Sequence, residues 1–360
     1  MRPGGGKYPR HQMRTMRNRY RRIAAIGIVL LSLVVMTGVS AEIHGTWWRV
    51  CFTDPARRGR LPADNPESAL ITLIRNARDF CGAFYDVSSE RIADALIDAH
   101  RRGVSVKIVT EEQNAERDAV KKLCSAGIAV VTDRNSGLMH HKFAVIDDIV
   151  WTGSFNITRN GLLRNNNNAL AIRSDELASI FRDEFFEMFR DRIFGNRREP
   201  PFARLTKRYY VRIGETPINV FFSPEDNIER IIRKRIRKAR ESVHFMMFSF
   251  TSDVLGEEII RSFQRGVKVY GIFERDGSGS RYSEYVKMKL EGIPVRFDGN
   301  KGKMHHKVLI LDKKVVITGS YNFTSNANRV NDENILIIDN SSIAAEYLKE
   351  FYRLYGRVSD

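Results

Sequence analysis

A block of about twenty residues occurs twice in this chain, as MHHKFAVIDDIVWTGSFNIT from Met139 and as MHHKVLILDKKVVITGSYNFT from Met304. The copies are a domain length apart, far beyond the 20–50-residue period of a solenoid repeat. The chain must therefore fold as two like halves. The likeness extends outward. RNARDF at Arg75 corresponds to RKARES at Arg237, and HRRGVSVKIV at His100 to FQRGVKVYGI at Phe263. NNNNALAI, ending at Ile172, aligns without a gap to NDENILII, ending at Ile338. The halves are thus residues 48–196 and 211–360. Between them, residues 197–210 form a basic, Pro-containing stretch that reads as a linker.

Each half predicts α/β layers. Asn65-Pro66-Glu67 and Ser223-Pro224-Glu225-Asp226 read as helix starts, a capping residue followed by Pro at the first helical position. In the second half Ile228, Ile231, Ile232, Ile236 and Ala239 then share one helical face, with Arg230, Arg233, Lys234, Arg237 and Lys238 off it. SVHFMMFSF, VKVYGIF, KVLILD, KVVITG and ENILIID read as strands separated by the helix LGEEIIRSFQ. Apolar strands alternating with helices imply a sheet buried between helical layers.

The repeated block carries the chemistry. On a strand, residues two apart share a face, so His140 and Lys142 point one way and His141 the other; His305, Lys307 and His306 repeat this. Cleaving a phosphodiester requires neutralising two non-bridging oxygens, supplying a nucleophile and protonating the leaving alkoxide. Lys142 and Lys307 with Asn156 and Asn322 can clamp the phosphate. One imidazole attacks phosphorus to give a phosphohistidine. The other protonates the leaving oxygen, then activates water as a base. No metal or other cofactor is required by this scheme.

The pattern H-x-K-x4-D followed by G-S-x-N and an acidic residue resembles the phospholipase D superfamily. Its members here are His140, Lys142, Asp147, Gly153, Ser154 and Asn156, then His305, Lys307, Asp312, Gly319, Ser320, Asn322 and Glu333. The resemblance implies two tandem α-β-α halves related by a pseudo-twofold axis, sheets side by side, around one active site. It adds Ser154 and Ser320 to the phosphate contacts. It makes Asp147 and Asp312 supports of the local turn. Where the second half has Glu333, the first has Asn167. The resemblance implies that this residue hydrogen-bonds the His of its own half. A carboxylate raises an imidazole's pKa, so His305 is expected to be the general acid and His140, facing Asn167, the nucleophile. Tyrosyl-DNA phosphodiesterases of the superfamily share this amide–acid asymmetry.

The net charge is +16, and half of it lies in residues 1–22, which hold eight basic and no acidic residues. Residues 23–41 carry no charge and end in Val39-Ser40-Ala41, as an export signal or membrane anchor would. Either is expected to place the remainder outside the cytoplasm, and the length of the basic region makes Met13 and Met16 the alternative starts. Cys51, Cys81 and Cys124 match no metal spacing and read as buried small apolar residues. Both half-sites lie in one chain, so a monomer is expected. The substrate expected is a phospholipid head group, with nucleic acid as the alternative; the basic surface suits either and also an anionic membrane. Phosphatidyl transfer to an alcohol, as in a cardiolipin synthase, and a non-catalytic binding role rank lower. The first lacks the usual two membrane spans. The second leaves two intact His-Lys-Asn sets unexplained.

Overall fold

The computed structural model describes Met1 and residues 47–56, 64–134, 136–195 and 210–356. The candidate signal or anchor and nearly all of the linker lie outside the described residues. Among those described, no helix is long and apolar enough to cross a membrane.

The first half orders its strands β1 (Trp48–Phe52), β7 (Asn168–Arg173), β6 (Ile149–Gly153), β5 (Lys142–Ile146), β2 (Asp79–Phe84), β3 (Ser105–Thr110) and β4 (Ala129–Thr132) across one sheet. Helices α1 (Pro66–Asn76), α2 (Glu90–Arg101) and α3 (Asp118–Ser125) belong to its crossover connections, α4 (Arg159–Leu163) precedes β7, and α5 (Asp175–Phe189) follows it. The second half repeats the plan, with an added edge strand. Its sheet runs β12 (Val295–Phe297), β11 (Lys268–Phe273), β10 (Ser242–Met247), β13 (Lys307–Leu311), β14 (Val315–Gly319), β15 (Glu333–Asp339), β9 (Thr216–Ser223) and β8 (Tyr210–Ile213). Its helices are α6 (Ile228–Lys238), α7 (Asp253–Gln264), α8 (Glu284–Leu290), α9 (Ser325–Arg329) and α10 (Ser341–Tyr355).

Local chemistry explains most boundaries. Asn65 caps α1 by accepting from the Ser68 N–H at 3.0 Å, with Pro66 at the first position as expected. The second half differs from expectation: β9 runs to Ser223 and α6 begins only at Ile228, capped by Asn227. Asp226 captures the Phe222 N–H at 2.8 Å, tying the Pro-containing stretch back to the strand end as a turn. Ile228, Ile232, Ile236 and Ala239 are buried as their spacing requires. Cys51 and Cys81 are buried, but Cys124 is exposed: it lies near the end of α3, off the face carrying Ala119, Val120 and Leu123.

Both halves belong to one compact unit beginning at Trp47. A single apolar cluster joins them. Phe143, Leu170, Phe181 and Phe185 of the first half pack with Val308, Leu336, Tyr347 and Phe351 of the second. Two short parallel bridges stitch the halves, Met139 to Asp332 and Met304 to Asn166. They are one contact with the halves exchanged, as a pseudo-twofold axis requires.

Candidate active site

The bridges decide which residues meet. His140 N–H donates to the Asp332 carbonyl at 3.0 Å, and His305 N–H to the Asn166 carbonyl at 2.9 Å. Each motif histidine is thereby laid beside the other half's residue that precedes the acidic position. His140 Nδ1 accordingly lies 2.8 Å from Glu333 Oε2, and His305 Nδ1 lies 2.9 Å from Asn167 Oδ1 and 3.0 Å from the Ser154 carbonyl. This corrects the expectation of pairing within a half. Glu333 backs His140, and Asn167 backs His305. Every one of these partners accepts, so both Nδ1 atoms carry hydrogen and both Nε2 atoms are left for a substrate.

The lysines sit beneath the rings. Lys142 Nζ donates to the His140 carbonyl at 2.7 Å, and Lys307 Nζ to the His305 carbonyl at 2.9 Å. Each also lies over an aromatic face, Lys142 at 5.0 Å from the Tyr85 ring centre and Lys307 at 4.6 Å from that of Phe248. Tyr85 and Phe248 in turn meet His140 and His305 edge-on. Burial pushes Lys142 down to about 7, partly offset by Glu333 and Asp86. It pushes Lys307 well below the usual ammonium range, with Lys142 adding to the effect. Both rings are held well below the usual imidazole value, first by burial and then by the two lysines. Burial raises Glu333 to about 7, against the pull of Lys142. The site is thus short of negative charge, and an arriving phosphodiester supplies it.

Gly153 and Gly319 end β6 and β14 at φ 151° and 154°. A Cβ there would stand 2.5 Å from the Asn168 carbonyl oxygen and 2.1 Å from that of Asn334, so only glycine fits. Asn156 and Asn322 follow two residues after Ser154 and Ser320. The amide oxygen of each is buried without a hydrogen-bond partner, which leaves the carboxamides unanchored and able to turn an N–H₂ to an anion.

Ser154 and Ser320, expected to touch phosphate, are buried, and their hydroxyls hold neighbouring groups of the site. The Ser154 hydroxyl donates to Asn167 Oδ1 at 3.0 Å and accepts from the Asn168 N–H at 3.1 Å. It orients the amide that orients His305. Ser320 Oγ likewise accepts from the Asn334 N–H at 3.0 Å, beside Glu333. Asp147 accepts the Arg78 and Asp79 backbone N–H groups, and Asp312 those of Arg240, Glu241 and Ser242. Both aspartates, at φ 51°, tie the hairpin end of their motif to the strand beside it. His141 and His306 point away from the site, each ring 3.2 Å from a carboxylate of the long helix behind it, Glu184 and Glu350.

Four contributors escaped the sequence reading. Tyr85 and Phe248 close the first strand pair of each half, and carrying the repeat alignment through β2 and β10 would have matched them. Glu111 and Glu274 end β3 and β11 and accept the N–H of Met139 at 2.8 Å and of Met304 at 2.6 Å. They brace the peptide ahead of each motif histidine. Burial raises both to about 7. An acid terminating an apolar strand at the same repeat register was the available signal. Among the described residues no group of three or more His, Cys, Asp or Glu side chains is placed to hold a metal.

Comparison with known proteins fits this geometry. A family model described as cardiolipin synthase, PLD-like domain, matches twice, over residues 70–189 and 232–355. A phospholipase D of Rickettsia prowazekii is 31% identical over 140 residues, 39% of this chain and 68% of that protein. The mitochondrial cardiolipin hydrolase of Mus musculus is 38% identical over 131 residues, 36% of this chain and 59% of that protein. Among solved structures, the phosphatidylserine synthase of Haemophilus influenzae superposes with a TM-score of 0.64 at 15% identity, covering 82% of this chain and 87% of its own, a likeness of fold. The doubled motif, its pairing across a pseudo-twofold axis and the twofold match of the family model show that the chain belongs to the phospholipase D superfamily, as a phosphodiesterase carrying both half-sites in one polypeptide.

Proposed function

We propose that this protein hydrolyses phospholipid head groups through a covalent phosphohistidine, with His140 as nucleophile and His305 as general acid and base. The observation that carries the reading is the exchange of ring partners. Attack by His140 Nε2 on phosphorus forms a P–N bond and leaves the ring cationic. Glu333, 2.8 Å from Nδ1, is the counter-charge for that cation. His305 donates Nδ1–H to a neutral amide and a carbonyl. The bound diester's negative charge offsets the two lysines and lets His305 take up a second proton from solvent; with no carboxylate to hold that proton it is the stronger acid, suited to give Nε2–H to the leaving alkoxide as the P–O bond breaks. In the second step His305 Nε2 takes a proton from water, the water oxygen attacks phosphorus, and the P–N bond breaks to free His140. The sequence expectation assigned the same roles on the opposite pairing, so the reason for them is new. Lys142 and Lys307 regain full charge against the bound diester, and Asn156 and Asn322 complete the clamp.

The lipid preference is supported by the names of the relatives, a phospholipase D and a cardiolipin hydrolase, at 31% and 38% identity. The test is an assay run side by side, in the presence of chelator, on phosphatidylcholine or cardiolipin vesicles and on single-stranded DNA or RNA. Cleavage of nucleic acid alone would overturn the lipid reading. The roles are tested by acid-quenching His305→Asn and His140→Asn with labelled substrate. Label should accumulate on the first and be absent from the second; the reverse pattern exchanges the roles.

A further inference from the structure

The two halves differ sharply on their outer helical faces. Helix α6 holds six Lys or Arg and one Glu in eleven residues. Its counterpart α1 holds Arg75 and Glu67 alone. The fold is therefore built in the first half without such a charge density. Glu258 on α7, only 1% exposed, is ringed by arginines: Arg233 at 3.1 Å, Arg237 at 3.2 Å, and Arg261 and Arg265 each at 3.8 Å. With Glu257 at 2.8 Å from Arg261, two carboxylates stand among four guanidiniums, and a positive excess remains. Arg230, Lys234 and Lys238 stand exposed beside it on α6. At the equivalent repeat positions of α2 the first half has Ala95 for Glu258 and Asp98 for Arg261.

Helix α8 packs on α7 and carries the second feature. Val286 and Leu290, one helical turn apart, are exposed, as is Tyr282 in the turn before the helix, with Leu290 at 84% and Tyr282 at 63%. Arg281 lies 4.8 Å over the Tyr282 ring, and Lys289 is exposed alongside. Lys287 pairs with Asp253, and Glu291 is exposed next to Leu290, so the local charges are mixed and the basic excess lies on the adjoining α6 and α7. Exposed apolar side chains beside such basic helices are the pattern of an interfacial surface, in which Leu and Val enter the acyl boundary, Tyr sits at head-group depth and Arg and Lys meet phosphate. A nucleic acid would use the arginines and leave Val286 and Leu290 in water. From this charge complementarity and apolar exposure together, we infer that the α6–α7–α8 face docks the enzyme on an anionic phospholipid bilayer. The inference rests on the lipid reading above and extends it from the reacting group to a surface outside the site.

The test needs a local readout, because the basic amino-terminal residues offer vesicles a second attraction. In the full chain, Cys124→Ser removes the exposed thiol and Leu290→Cys takes an environment-sensitive dye. Initial fluorescence is recorded on vesicles of phosphatidylcholine alone, and on phosphatidylcholine with a third phosphatidic acid, an anionic lipid with no diester to cleave. A blue shift on the anionic vesicles only is expected. The combined Arg230→Glu, Lys234→Glu and Lys238→Glu variant should weaken it on the order of a hundredfold, while cleaving a water-soluble diester at the parental rate. No shift, an equal shift on both vesicles, an unchanged shift in the triple variant, or a shift produced by single-stranded DNA instead would each overturn the docking face. Cleavage of lipid in detergent micelles is measured alongside. If it persists while the shift fails, only the docking inference falls; if it is absent, the lipid reading falls as well.

Discussion

Replacing Glu333 with Gln tests the electrostatic centre of the mechanism while sparing the fold. Gln has the same shape, and its amide oxygen can still accept from His140 Nδ1–H, which lies 2.8 Å from the carboxylate in the parent. What is lost is a negative charge in a fully buried place. A hydrogen bond to a charged partner contributes about 1.5–3 kcal/mol. If that contribution is realised as the ring becomes cationic, kcat falls by roughly 10- to 150-fold. KM should hold or fall, because Lys142 and Lys307 lose a competitor for the diester's charge.

The pH dependence carries a second signature. Burial raises Glu333 to about 7. Its ionised form is the effective one, so parental kcat should climb as pH rises through about 7, and that limb should vanish in Glu333→Gln. Stability runs the other way. The folded-state value lies above the ordinary carboxyl value of 4.5, so the native state binds this proton more tightly than the unfolded chain does. The contribution is fully present below about 4.5 and is lost by about 7. Glu111 and Glu274, also raised to about 7, act in the same direction and in the same window. Steady-state kinetics from pH 5 to 9 with urea melts on the same samples decide the matter. Parental kcat, a loss confined to KM, or a surviving acid limb in Glu333→Gln would refute the counter-charge role.

Other consequences are simpler. Asp312→Ala strands three backbone N–H groups and should cost about 2–3 kcal/mol in a urea melt, with kcat per folded molecule nearly kept. Gly319→Ala pushes a Cβ to 2.1 Å from the Asn334 carbonyl oxygen at a φ that L-residues avoid, and should cost more than about 3 kcal/mol or abolish soluble expression. Tyr85→Phe makes the first-half ring match Phe248; since the ring face over Lys142 is kept, kcat should change less than about threefold. Excess EDTA should leave the rate unchanged, because Lys142 and Lys307 supply the positive charge that a metal would otherwise provide.

The sequence was most legible where one residue's surroundings follow from its neighbours along the chain. Strand alternation alone sent His140 and Lys142 to one side and His141 to the other, and Ile228, Ile232 and Ile236 fell on a buried face because a helix repeats every 3.6 residues. It was least legible where partners come from elsewhere. Aligning the copies shows which residue is equivalent to which, but not which copy touches which. Hence Glu333 was set beside the His of its own half, whereas the Met139–Asp332 bridge delivers it to His140, 193 residues away. The serines show a related limit: a hydroxyl beside a phosphate site reads as a ligand, and its hydrogen bond to Asn167, a partner 13 residues on, is not visible in the sequence. The start of α6 was misplaced because a side chain, Asp226, outbid the helix for the local backbone.

On the proposed mechanism, the exchange of partners also gives one symmetric architecture a directional reaction. Two imidazoles related by a true twofold axis would have identical acidity, and neither would be the preferred nucleophile. Here the acceptor function is preserved on both sides: Asn167 Oδ1 meets His305 Nδ1 at 2.9 Å and Glu333 Oε2 meets His140 Nδ1 at 2.8 Å, so ring orientation and tautomer are the same. What differs is the charge of the acceptor, together with the Ser154 carbonyl that His305 Nδ1 also meets at 3.0 Å. On the proposed roles, an ionised Glu333 favours the ring that becomes cationic on phosphorylation, and a neutral amide favours the ring that releases a proton. Covalent fusion of the halves is what allows that difference. In a dimer of one repeated half both positions would carry the same residue, and the direction of attack would have to be chosen by the substrate alone.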